Sequence, residues 1–494
     1  MGLGSRLDAL FKGPEDFDLT SGGIGKPLFF LAMPIVVTNL FQTAYNLADT
    51  FWLGQYSTDA LAAISFAFPM VFLLISFGTG ISVAGSVLVA QFTGADEPRE
   101  AEYAASQTVT FAAIVSLVLG VIGYFVVGEF LSLMGASADV LPLASSYMEV
   151  ISLGLLFMFG FFVFIALMRG YGDTITPMLV MFGSVVLNIV LDPFLIFGWT
   201  VVESAPVVGT VSFPELGIQG AAVATVFSRG LALVVGLAIM FRGDRGVQIH
   251  LGDMVPDLSY LRRLVAIGLP ASVEGMGRAL SMNLLLFVVA TFSDPVVSAY
   301  GIGTRVFSVI VLPAIAVARG VETMTGQNVG ADKPERAEAA ANLAAKVLFG
   351  ILTLAGIVVF LAPEPIVSVF VGADQANADR VVEVGAQFLR YVALTFGFIG
   401  ITRAYTGSFR GAGRTLTAAA ISVLMLGVVR FPVAWFAADP LGETGIWLSF
   451  AVSNVVGAVV AVLWYRRGTW KGTELTEQSV DVEPTGVEGS AGDD

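Results

Sequence analysis

The chain contains no cysteine and a single histidine, His250. Disulfides, thiolate metal ligands and thiol nucleophiles are thereby excluded. One imidazole cannot build a multi-histidine metal site, and its place between apolar runs argues against a catalytic triad. Charge is also scarce. Only 13% of the residues are Asp, Glu, Lys or Arg, against roughly 25% in soluble domains. The apolar runs are continuous rather than alternating, which excludes a membrane-spanning barrel.

What fills the chain instead is hydrophobic side chains, 56% of 494 residues. They fall into runs near 28–53, 61–92, 104–127, 141–168, 176–198, 217–241, 264–292, 297–328, 340–361, 384–407, 415–437 and 445–465. Each is about 20 residues or longer, enough to cross the hydrocarbon core. The fold expected is an all-α integral membrane protein with about twelve transmembrane helices. The leading MGLGSRLDALFKGPEDFDLTSGG is too polar for a cleavable signal peptide, and its LGSRLDALFK part is expected to lie on the membrane surface.

Basic residues set the orientation. Alternate loops carry Arg6, Lys12 and Lys26; Arg99; Arg169; Arg242, Arg245, Arg262 and Arg263; Lys333 and Arg336; Arg410 and Arg414; and Arg466, Arg467 and Lys471. The intervening loops carry only Arg380. The positive-inside rule places both termini in the cytoplasm and requires an even number of spans. The net charge is nevertheless −14. Part of that lies in the tail GTELTEQSVDVEPTGVEGSAGDD, whose composition is that of a disordered segment; the rest suggests a salt-loving host.

The chain is one half written twice. QFTGADEPREA at 91–101 returns as QNVGADKPERA at 327–337, RGYGDTIT at 169–176 as RGAGRTLT at 410–417, and LGIQG at 216–220 as LGETG at 441–445. The first copy has the longer loop, WTVVESAPVVGTVSFPE. Because each copy has six spans, the copies share one orientation, as in parallel-repeat transporters built around a central cleft. The organisation expected is a cytoplasmic segment at 1–26, a first lobe (N-lobe) at 27–241, a linker at 242–263, a second lobe (C-lobe) at 264–466 and an acidic tail at 467–494. In the repeated turns, Gly ending a helix and Asp with Pro starting the next is the expected reading of GADxP. A capping Thr is the expected reading of RGxGxTxT.

Polar residues interrupt the spans at a few places. LVMFGSVVLNIVLDPFLIFGW puts Asn188 and Asp192 on one helix face in mid-membrane, and Pro193 follows at once. The first span carries Gln42, Asn46 and Asp49 at helical spacing, with Tyr45 beside them and Pro34 earlier. Thr225 with Ser228, and Tyr147 with Glu149, add oxygens on the sixth and fourth spans. A carboxylate at the bilayer centre costs ~3 kcal/mol on insertion scales, and such residues mark ion or substrate pathways. In the second copy the positions of Asp49, Asn188 and Asp192 hold Leu285, Val429 and Val433. A packing role would be needed twice; a site is needed once. Two close carboxylates in a dry setting share a proton or bind a cation, and oxygen ligands without Cys or His suit Na⁺ or H⁺. In the second copy, Glu274 with Arg278 and Arg319 with Glu322 have the spacing of internal ion pairs. Arg305, Arg403 and Arg430 have no partner at helical spacing. Phe and Met are expected to line a cleft for bulky, often cationic compounds.

Together NLADTFWLG, QFTGADEP, RGYGDTITPM, LNIVLDPFLIFGW and LGIQGAAVATVFSR resemble the multidrug and toxic compound extrusion (MATE) family over about residues 20–470, and the acids of the first lobe resemble its DinF-like branch. The resemblance implies a Na⁺- or H⁺-coupled antiporter that exports organic, often cationic, compounds by alternating access, acting in the cell membrane as a monomer, with no cofactor and no nucleic-acid partner. It places the coupling site on Asp49, Asn188, Asp192, Thr225 and Tyr147, with Na⁺ accommodated by the first four. Gln42, Tyr45 and Asn46 would support a cleft, and Pro34 and Pro193 would bend their helices. The rival implied by the same superfamily is a flippase for lipid-linked precursors, which would want a cationic cavity.

Overall fold

A computed structural model describes residues 18–205, 209–371 and 377–472. The LGSRLDALFK segment and most of the acidic tail lie outside the described residues. Ten helices are long and apolar enough to cross a membrane, and two bent helix pairs bring the number to twelve. Spans 1 to 6 are Gly25–Tyr56, Thr58–Gly94, Pro98–Leu133, Val140–Leu153 with Leu155–Tyr171, Ile175–Phe197 and Ile218–Arg242. Spans 7 to 12 are Leu258–Val289, Asp294–Gly330, Pro334–Leu361, Ala378–Ala393 with Phe396–Gly411, Thr415–Leu441 and Glu443–Arg466. The long loop after span 5 folds into an antiparallel hairpin, β1 (Thr200–Ala205) with β2 (Gly209–Ser212).

Several local readings change. Span 7 starts at Leu258, inside the stretch read as linker. Asp257 caps it by accepting from Ser259 N at 2.8 Å and Tyr260 N at 3.4 Å, and Tyr103 on span 3 donates to the same carboxylate at 3.0 Å. The side-chain hydrogen bond from Ser259, followed by that from Tyr103, holds the Asp257 carboxyl below the usual range despite partial desolvation. A depressed carboxyl contributes stability above its unfolded pKa, near 4, and loses it as pH falls through the folded value. Asp257→Ala is expected to cost about 1 kcal/mol at neutral pH, read as a lower melting temperature that converges with wild type in acid.

In RGYGDTIT the cap of span 5 is not a Thr. Asp173 accepts from Ile175 N at 3.0 Å and Thr176 N at 2.9 Å. In the GADxP turns Gly94 and Gly330 end their helices and Pro98 and Pro334 open the next, as expected, and the left-handed residue between them is Asp: Asp96 has φ 59° and Asp332 φ 55°. The glycines also do something else. A Cβ on Gly94 would overlap the Gln327 carbonyl oxygen, and one on Gly330 would overlap the Gln91 carbonyl oxygen. Spans 2 and 8 thus cross backbone on backbone. A third close pair, Gly80 and Gly268, joins spans 2 and 7; a Cβ on Gly80 would sit 2.5 Å from the Gly268 carbonyl oxygen.

These contacts lie toward the face that carries residues 18–24 and 467–472, here the terminal face. Hydrogen bonds between the lobes cluster there too. Gln91 donates to Gly411 O at 2.9 Å, Gln327 to Gly170 O at 3.1 Å and Tyr171 O at 2.9 Å, and Thr323 to Arg169 O at 3.1 Å. Arg336 gathers the carbonyls of Leu19, Ser21 and Gly22 at 2.6–3.2 Å. The lobes are pinned together at the terminal face.

Spans 4 and 10 are bent by 55° and 51°. The bends fall at Gly154 and Leu394–Thr395, equivalent points of the two copies. Pro34 and Pro193, expected to bend spans 1 and 5, sit inside helices that run without a break. What Pro193 does is withhold the hydrogen bond that Ile189 O would otherwise receive.

Candidate functional site

The apolar core of the N-lobe is divided. One cluster, toward the terminal face, includes Tyr45, Phe161, Met181 and Leu233. The other includes Leu53, Tyr147, Phe159 and Ile196. The polar residues of spans 1, 4, 5 and 6 occupy the level between them. Asp49, Asn188, Asp192 and Thr225 are at most 4% exposed, and Tyr147 and Tyr45 are buried beside them. Asp49 is an electrostatic neighbour of both Asp192 and Tyr45. The Tyr45 hydroxyl and Thr225 Oγ1 share a hydrogen bond of 2.7 Å, and Asn188 Nδ2 donates to Asp192 Oδ1 at 3.3 Å. Tyr147 is an electrostatic neighbour of both acids.

Three oxygens in this layer are buried without a hydrogen-bond partner: Asp49 Oδ1, Asp192 Oδ2 and Asn188 Oδ1. Buried acceptors are normally satisfied, so such a cluster requires a reason. Two carboxylates, an amide oxygen and a hydroxyl form a hard oxygen donor set that fits Na⁺, or a proton shared by the acids.

Sequence reasoning missed Arg229. It lies four residues after Thr225 on span 6 and is 4% exposed. It donates to Gln42 Oε1 at 2.9 Å and sits over the rings of Tyr45 and Phe161 at 5.0 and 5.2 Å. Its charge is felt at Asp49, yet among the described residues it forms no ion pair. Two carboxylates therefore face one guanidinium, which leaves room for one monovalent positive charge. Gln42 belongs to the cluster through Arg229. Asn46 does not: it is exposed, and its side chain meets only Gln42, at 3.1 Å.

The C-lobe is built on the same scaffold with the opposite charge. The expected pairs form, Glu274 with Arg278 at 3.2 Å and Glu322 with Arg319 at 3.0 Å. Arg410, from span 10, bridges both acids at 3.2 and 3.1 Å. Beside this network lies a cavity of about 850 Å³, open mouth included. The expected Met and Phe are there, as Met282, Met425, Phe307 and Phe450, but so are Arg278, Arg403 and Arg430, and no acid lines it. The cavity is not one that carboxylates would tune for organic cations. Span 11 turns as a π-helix from Leu424 to Arg430 along its wall, an irregularity that recurs at functional sites.

Comparison with known proteins agrees with this architecture. The MatE family pattern matches residues 34–194 and 270–436, one segment in each lobe. A probable multidrug resistance protein YpnP of Bacillus subtilis is 28% identical over 460 residues, covering 93% of this chain and 98% of its own. An FAD transporter of Shewanella oneidensis is 27% identical over 438 residues, covering 89% and 93%. A solved MOP superfamily transporter from Pyrococcus furiosus, described by the reverse polarity of its binding pocket, superposes with TM-score 0.83 over 94% of this chain and all of its own, at 24% identity.

Proposed function

The chain belongs to the MatE family and is a multi-pass membrane transporter rather than an enzyme, and from that premise we propose that it exports small organic molecules by antiport against Na⁺ or H⁺. The observation that carries the coupling site is the set of unpartnered buried oxygens on Asp49, Asn188 and Asp192. A cation or proton there supplies the charge that Arg229 leaves unbalanced. Thr225 adds a hydroxyl, Tyr45 and Tyr147 close the layer, and the Ile189 carbonyl freed by Pro193 lies one residue from Asn188.

In the cycle we propose, the lobes pinned at the terminal face form the state open on the other side, with the termini in the cytoplasm of a cell-membrane monomer. Entry of the coupling ion into the N-lobe satisfies the orphan oxygens and redraws the packing around spans 1, 5 and 6. That change is passed to the lobe contacts, and cargo leaves. Parting of spans 2 and 8 then exposes the cleft to the cytoplasm. A flippase for lipid-linked precursors is not favoured by the relatives, whose names are those of multidrug resistance proteins and an FAD transporter.

The test is efflux of a reporter compound from proteoliposomes under a Na⁺ gradient and a pH gradient imposed separately. Acceleration by one gradient, with the reciprocal ion flux, supports the reading and names the ion. A rate indifferent to both would refute coupling.

A further inference from the structure

Resting on the transporter reading, we infer that the C-lobe cavity binds an organic anion, a carboxylate or phosphate attached to an aromatic or apolar body. The first ground is charge. Arg278, Arg403 and Arg430 line the cavity, and no Asp or Glu does. The buried acids nearby, Glu274 and Glu322, already serve Arg278, Arg319 and Arg410. Among the described residues, Arg403 has no ion pair and no side-chain hydrogen bond, and its electrostatic neighbours are Arg278, Arg410, Arg319 and the shared Glu274. Among the described residues Arg430 has no carboxylate neighbour. A buried guanidinium without a counter-charge costs several kcal/mol of desolvation. A fold that keeps an excess of them around a cavity leaves the missing charge to a ligand.

The second ground is construction. Arg430 is 7% exposed and held on three sides. Its Nε donates to Ser453 Oγ at 2.9 Å, one Nη donates to Asn454 Oδ1 at 2.9 Å, and its plane lies 4.3 Å from the centre of the Phe450 ring. The other Nη is left for a ligand. Asn454 in turn donates to Thr395 Oγ1 at 3.0 Å, at the bend of span 10. Ser281 donates to the Leu426 carbonyl of the π-helix at 2.9 Å, fixing the facing wall. Guanidinium forks select planar oxyanions such as carboxylate and phosphate. Phe307, Phe450, Met282 and Leu285 offer the rest of the ligand an apolar bed.

The third ground is the repeat. Leu285, on the cavity wall, stands where the N-lobe has Asp49, and Val433 stands where it has Asp192. The N-lobe has Ile189 where the C-lobe has Arg430. One scaffold carries acids in its first copy and bases in its second.

The test measures equilibrium binding to the full-length protein in phosphatidylcholine nanodiscs without any gradient. The probes are 4-methylumbelliferyl phosphate, its neutral parent 4-methylumbelliferone, the cation rhodamine 6G, and dihexanoyl phosphatidic acid. The aryl phosphate is expected to bind at least about tenfold tighter than the neutral parent, and Arg403→Gln and Arg430→Gln to weaken it about tenfold or more. Arg403→Lys is expected to restore part of the loss. Arg430 ties spans 11 and 12, so Arg430→Gln can fail to fold; Arg403, which bonds no protein group, then carries the test. Competition by dihexanoyl phosphatidic acid equal to that of the aryl phosphate assigns the anion to a lipid headgroup, and weaker competition assigns it to a soluble compound. Unchanged phosphate binding in a folded Arg403→Gln, or rhodamine binding that exceeds phosphate binding and strengthens in that variant, overturns the inference. Binding is read here without any gradient and coupling is read from gradient-driven efflux, so a failure of coupling leaves this result intact and a failure here leaves coupling intact.

Discussion

Asp192→Asn is expected to abolish gradient-driven efflux and at the same time to raise the melting temperature. The two effects share one cause. Asp192 is fully buried beside Asp49, with Oδ2 unpartnered. Replacing the acid with its isosteric amide removes a desolvated group that the resting protein does not fully satisfy, and neutralising such sites is commonly neutral or stabilising. In the proposed cycle the amide also takes away the charge and one of the oxygens that hold the coupling ion. We expect efflux to fall at least about tenfold, a loss of about 1.4 kcal/mol or more in driving interaction, with stability unchanged or higher. Asp49→Asn should behave alike, and the double variant should add little, because both residues serve one event. A purely structural role predicts the reverse pattern, with melting temperature falling and the surviving folded fraction still coupled. Paired thermal and efflux measurements on the same preparations separate the two.

Gly94→Ala is expected to hold the terminal face apart. The new methyl would overlap a backbone carbonyl, that of Gln327, and backbone cannot rotate away as a side chain can. Overpacking of this kind typically costs 1–3 kcal/mol. The cost falls on the state in which spans 2 and 8 touch, so the lobes part there. Since the native chain has no cysteine, spin labels on Glu97→Cys and Glu335→Cys report that separation directly. The distance distribution should lengthen and broaden in Gly94→Ala. Gly330→Ala should do the same through the Gln91 carbonyl, and the pair together should cost less than the sum, since one parting relieves both clashes. An unaltered distance distribution would show that the crossing is not where closure is decided.

The spans were legible because length and continuous hydropathy are properties of single segments, and the repeat was legible because GADxP and RGxGxT are local strings. The acids of the N-lobe stood out by being wrong for their surroundings. Arg229 did not stand out, although it lies in the middle of the run at 217–241 and outside every basic loop; its spacing from Thr225 was the available clue. Asn46 shares the stripe of Asp49 but is exposed rather than buried with it, because helical spacing defines a stripe and not which edge of it packs inward. The bends at Gly154 and Thr395 depend on contacts with other helices. At Gly154 the closest neighbour is Val226 of span 6. Pro34 and Pro193 carried the louder local signal for a break, yet the helices around them run on unbroken. The polarity of the C-lobe cavity was hidden for a similar reason. Each arginine alone looks pairable, and only the folded arrangement shows that the two available acids are already taken.

The backbone-on-backbone crossing of spans 2 and 8 also bears on electrical insulation. A barrier made of side chains fluctuates, and each rotamer change admits a file of water along which protons hop. Where Gly94 meets the Gln327 backbone and Gly330 the Gln91 backbone, no side chain stands between the two helices. Such a seal parts only when two whole helices move, so it leaks little while shut. An exchanger that lives on an ion gradient dissipates that gradient through every leak. If the chain is the ion-coupled exchanger proposed above, four residues at the crossing set how much of the stored gradient reaches the cargo.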